Sequence, residues 1–156
     1  MPTPPKIWVA SYGGCGSNWL NNALGSQVVD RPWWTQACHA GAPIADADCS
    51  AAVYIYRHPV AAYRSQERRG LLSTNQRKLG YPAPHNVGRM ARAMIEQMIA
   101  WAHAGDLALP FPVVLVRFER LHEHLDELAA AIGADFARTF APPPTVPEDV
   151  KGLGAA

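Results

Sequence analysis

The order of segments predicts an α/β fold: a central parallel sheet with helices on both faces, three layers in all. Two observations lead there. Three short apolar runs, residues 6–11 (KIWVAS), 51–57 (AAVYIYR) and 112–118 (PVVLVRF), read as buried strands. Segments with helical periodicity separate them, so the strands connect through crossovers that place helices on the faces. In such sheets ligands sit at the carboxyl ends of the strands.

The elements follow in order. Residues 12–16 (YGGCG) form a glycine-rich turn after the first strand. Ser17 and Asn18 stand where a helix N-cap is expected, and Trp19, Leu20, Ala23 and Leu24 fall at helical spacing up to Gly25. Residues 26–50 read as irregular. After the second strand, Pro59 suits a first helical position, and residues 60–69 read as a helix. Residues 70–84, broken by Gly80, Pro82 and Pro84, read as a loop. A long amphipathic helix then puts Val87, Met90, Ala91, Met94, Ile95, Met98 and Trp101 on one face, ending at Gly105. Methionine is a common gap-filler, so this stripe reads as core. The third strand leads to a helix over residues 121–132, closed by Gly133, and a proline-rich tail begins near residue 141.

A chain of 156 residues fits one domain, residues 1–156. With 49% hydrophobic and 17% charged residues it has enough apolar side chain to close a core, which excludes disorder over most of its length. The formal charge of +1 excludes a general nucleic-acid binder, so an anion site must be local. No apolar run approaches the roughly 20 residues that span a bilayer. Three prolines within residues 1–5 suit neither a signal nor a transit peptide. Cys15, Cys38 and Cys49 are odd in number and match no zinc or redox spacing. The expectation is a reducing cytoplasm and no metal site.

Two constellations point to chemistry. Gly13, Gly14, Cys15 and Gly16 allow a tight bend whose amides converge on an anion. The helix start adds its dipole, and Ser17 and Asn18 add side-chain donors, which suits a phosphate. No Lys-Ser/Thr pair follows the glycines, so this is not a Walker A loop. The second constellation is Arg57-His58-Pro59 with Ser65. A guanidinium at a strand end and a hydroxyl two turns into the next helix can grip one phosphate from two sides. The two grips are expected a nucleotide's length apart along one rim of the sheet.

On these residues the chain resembles the PAPS-dependent sulfotransferases. Their first signature, roughly Tyr-Pro-Lys-Ser-Gly-Thr-Thr-Trp-Leu, lies in frame with Tyr12-Gly13-Gly14-Cys15-Gly16-Ser17-Asn18-Trp19-Leu20. Their second, an apolar strand ending in Arg, then Asn/Asp-Pro, then a Ser, is similar to Val53 through Pro59 with Ser65. A third segment, Val-Arg-Tyr-Glu-Asp-Leu before a helix closed by Leu-Gly, is similar to Val116-Arg117-Phe118-Glu119-Arg120-Leu121 before Ile132-Gly133.

The resemblance implies a P-loop-like nucleotide-binding topology. It implies PAPS as sulfuryl donor, PAP as product, and a hydroxyl or amine of a small-molecule or glycan acceptor. Gly13, Gly14, Cys15, Gly16, Ser17 and Asn18 would hold the 5′ phosphosulfate end, and Trp19 would lie against the adenine. Arg57 and Ser65 would hold the 3′-phosphate, Phe118 would face the adenine, and Lys151-Gly152 would close over the 3′-phosphate. His39, 18 residues before Arg57, is the counterpart of the family's catalytic base. A histidine near its ordinary pKa of about 6.5 can take a proton from the acceptor.

The chain departs from the family at Gly14, where the family carries Lys or Arg. Losing one such donor slows transfer by a factor of ~10²–10³. Arg64, Arg68, Arg69 and Lys151 are available substitutes. The chain is also short, so Trp33, Trp34, Tyr81 and the methionine helix are the available acceptor-pocket walls. Two alternatives stay open: a nucleotide-binding module without chemistry, and a P-loop phosphotransferase. A homodimer is compatible with this size.

Overall fold

The computed structural model describes residues 5–29, 39–74 and 86–136. Within them the chain is an α/β structure with one three-stranded parallel sheet, in the order β1-β2-β3. The strands are β1 (Ile7–Ser11), β2 (Ala51–Tyr56) and β3 (Val113–Arg117). The register pairs Ile7 with Ala51 and Ser11 with Ile55 on one side of β2, and Ala52 with Val113 and Tyr56 with Arg117 on the other. The helices are α1 (Ser17–Leu24), α2 (Pro59–Arg68), α3 (Val87–Ala102) and α4 (Leu125–Ile132).

Alternation along the strands builds two cores, as period-two geometry requires. Ile7, Val9, Ala51, Val53 and Ile55 pack with Leu20, Leu24, Leu128 and Ile132 of α1 and α4. Trp8, Ala10, Ala52 and Tyr54 face Trp101 of α3 and Phe111. Trp101 stacks on Tyr54, with ring centroids 5.1 Å apart, and meets the edge of Trp8 at 4.9 Å. Both faces of the sheet are covered, which is compatible with a three-layer arrangement.

Three expectations need correction. The third strand is half exposed and not buried, with Leu115 36% exposed, whereas β1, the other outer strand among the described residues, is buried throughout. On α3, Val87 and Ile95 lie exposed, while Ala93 and Gln97 join Met90, Met94 and Trp101 on the buried face. The last helix begins at Leu125, and Phe118–Glu123 is a tighter 3₁₀ segment. Its end is as expected: Gly133 takes a left-handed φ of +66°. Among the described residues no helix is long and apolar enough to cross a membrane. Trp33, Trp34, Cys38, Tyr81, Lys151 and Gly152 lie outside the described residues.

Candidate functional site

The carboxyl end of β1 runs into the glycine turn, and the turn is held from behind. Gln66 of α2, fully buried, donates from Nε2 to the Gly13 carbonyl at 2.9 Å. Arg57, at the end of β2, donates from Nη1 to the Gly14 carbonyl at 3.2 Å. A planar trans peptide sets its N–H opposite its C=O. The amides of Gly14 and Cys15 therefore face away from Gln66 and Arg57. Among the described residues, the amides of Gly14, Cys15, Gly16, Ser17 and Asn18 have no protein acceptor. They are donors left open at the turn and the helix start.

The glycines are demanded by conformation and by space. Gly13, Gly14 and Gly16 have φ of 112°, 71° and 85°. A Cβ on Gly14 would stand 2.6 Å from the Ala62 carbonyl oxygen of α2. A Cβ on Gly16 would stand 2.2 Å from the Phe118 ring. Gly16, not Ser17 or Asn18, is the N-cap of α1. Ser17 instead accepts a bond from the Ser11 hydroxyl at 3.1 Å, Asn18 is exposed, and Trp19 is half buried against the core. Cys15 is buried, and its thiol bonds the Gly13 carbonyl at 3.3 Å. Burial pushes its pKa up to about 12, so it is a neutral donor at physiological pH.

Arg57 sits 9% exposed in a socket of three contacts. Besides the Gly14 carbonyl, it lies 4.7 Å over the Phe118 ring and 3.7 Å from Glu119. Burial lowers its pKa from the ordinary guanidinium range, and the Glu119 charge pulls it back. Glu119 also accepts from the His58 backbone N–H at 3.2 Å and pairs with Arg117 at 3.2 Å. The geometry differs from the expected one. Arg57 touches the turn and supports it, so its guanidinium does not stand a nucleotide's length away as a separate grip. Among the described residues no bond joins Arg57 to Ser65, which lies half buried on α2. Phe118 is only 5% exposed beneath Gly16 and Arg57, so its ring is a floor for the turn and not an open face for adenine.

His39 does come to the turn. Its Nδ1 lies 3.0 Å from the carbonyl oxygen of Ser11, the residue whose hydroxyl bonds Ser17. A carbonyl can only accept, so Nδ1 carries the proton and Nε2 is the basic nitrogen of the neutral ring. Beside the turn a cavity of about 230 Å³ opens between the ends of β2 and β3 and α3, lined by Tyr12, Tyr56, Arg57, Met94 and Met98, among others. The methionine stripe is thus partly core and partly wall.

Sequence reasoning missed Gln66 and Gln97. Both are polar residues on buried helix faces, and that mismatch with an apolar stripe is the signal that could have found them. Among the described residues no cluster of acidic, histidine or cysteine side chains could hold a metal ion. Comparison of the chain with family models, curated proteins and solved structures finds no significant match.

Proposed function

We propose that the chain transfers a sulfuryl group from PAPS to a small acceptor carrying a hydroxyl or amine. The observation that carries this reading is the convergence at the end of β1: the Ser17 hydroxyl and the His39 imidazole both meet Ser11 beside the open turn amides, and the Arg57 guanidinium braces the turn from behind. The strand, glycine turn and helix would act as a P-loop-like cradle. In transfer, the acceptor oxygen bonds sulfur as the bond from sulfur to the bridging oxygen breaks. His39 Nε2 takes the acceptor proton, and PAP leaves with the bridging electron pair. With no lysine at position 14, the turn amides would carry the charge that grows on the leaving group, and Arg57 would brace the turn from behind. The cavity at Met94 and Met98 would seat the apolar part of the acceptor.

A second reading is a PAP-binding module without chemistry. The close packing of Gly14 on Ala62 favours it, since this turn admits no side-chain cation at that place. His39→Asn separates the two. The expected result is a fall in transfer rate of roughly 10²–10⁴-fold, the usual contribution of a positioned base, with PAP affinity unchanged. Wild-type protein that binds PAP but transfers nothing to a panel of phenols, alcohols and amines would favour the binding module.

A further inference from the structure

His39 belongs to no helix or strand, yet the chain around it is tied down from below. Gln97 of α3 donates from Nε2 to the His39 carbonyl at 3.2 Å and to the Ala40 carbonyl at 2.9 Å. Trp101 Nε1 donates to the same Ala40 carbonyl at 3.0 Å. The Gln97 Oε1 accepts from the Tyr54 hydroxyl at 2.8 Å. All three anchors are interior: Gln97 is 5% exposed, Tyr54 1% and Trp101 0%.

The chemistry of the amide fixes its direction. The His39 and Ala40 carbonyls can only accept, so the NH₂ group faces the loop and its hydrogens meet them, and Oε1 then accepts from the Tyr54 hydroxyl. Burial pushes the Tyr54 pKa well above the ordinary phenol range, so it remains a donor at any pH the fold survives. A leucine would fill the same place between Met94 and Trp101 without needing partners. What the glutamine adds is a hold on residues 39 and 40. The ring is fixed at a second point, through Nδ1 to Ser11. With backbone and ring both held, the imidazole has one tautomer and one direction.

We infer that Gln97, anchored in the core by Tyr54, is the positioning residue that fixes the His39 ring for proton transfer. This rests on the assignment of His39 as base. The readout that tests it is the ¹⁵N spectrum of His39 in full-length, histidine-labelled protein, with the resonance assigned from His39→Asn. At a pH where the ring is neutral, wild type is expected to carry its proton at Nδ1. In Gln97→Leu the ring is expected to lose that preference and shift toward the mixture found for histidine in water. Tyr54→Phe carries the same test if Gln97→Leu does not fold, with a smaller shift in the same direction. A role in core stability alone would lower the melting temperature and leave the tautomer of the folded protein unchanged. A folded variant with the wild-type His39 spectrum overturns the inference, as does a wild-type ring protonated at Nε2. The functional reading is judged separately, by PAP titration of wild type. A tautomer shift without PAP binding removes the sulfotransferase reading and keeps the positioning; PAP binding with no shift does the reverse.

Discussion

Lysine at position 14 is expected to destabilise the fold by about 2–5 kcal/mol and to bring no gain in transfer. Two costs add. The backbone there has φ +71°, a left-handed conformation that an L side chain enters at about 1–2 kcal/mol. The new Cβ would also meet the Ala62 carbonyl oxygen at 2.6 Å, and backbone of a packed helix does not yield cheaply. Overpacking of this kind costs about 1–3 kcal/mol. Gly14→Ala carries the same Cβ and should show most of the loss, which assigns it to the turn and not to the ammonium group. Urea denaturation reads the effect as a lower midpoint at constant slope. From sequence, Gly14 looks like a missing cation. The packing shows a turn pressed against α2 by the Gln66 bond, with no space for one. A Gly14→Lys protein as stable as wild type, or one more active, would contradict this.

The second large effect is expected at Arg57. Arg57→Met keeps the length and the apolar contact with Phe118 but removes every donor. The Gly14 carbonyl then loses its partner; an unpaired buried acceptor costs about 1–3 kcal/mol, and this half-buried one less. Glu119 is left with Arg117 and the His58 amide, so its charge is not stranded. The turn loosens and the cluster loses its buried cation. PAP affinity should fall roughly 10–200-fold, the equivalent of one charged hydrogen bond of about 1.5–3 kcal/mol. Arg57→Lys should recover little of it, because an ammonium lacks the planar group that lies over Phe118 while bonding the Gly14 carbonyl. Calorimetric titration at fixed salt reads the change, and an unaltered affinity in folded Arg57→Met would remove Arg57 from the site.

Much of the architecture was legible in the sequence. The apolar runs give β1 and β2 almost to the residue, and Pro59 and Gly133 mark a helix start and a helix end as their backbone preferences dictate. The half-exposure of β3 was not legible, because an apolar run says nothing of how far other elements cover its two faces. The face of α3 was misread for a related reason. Ile95 is apolar but points outward, while Gln97 is polar but buried, and only the partners Tyr54, His39 and Ala40 make that placement favourable. At the site, the glycines pointed to a tight turn, and the turn has amides without a protein acceptor among the described residues. That Arg57 and Phe118 serve as the turn's support was hidden, since it depends on contacts from three strand ends meeting in space.

The central claim is that the glycine turn receives the phosphate end of PAP. The most direct measurement is a titration of ¹⁵N-labelled protein with PAP, followed amide by amide, with ATP and Mg²⁺ in a parallel series. The largest and saturating shifts are expected at Gly14, Cys15, Gly16, Ser17 and Asn18, with tighter binding of PAP than of ATP. No saturation at high micromolar PAP, or saturating shifts that leave those five amides unmoved, would contradict the claim.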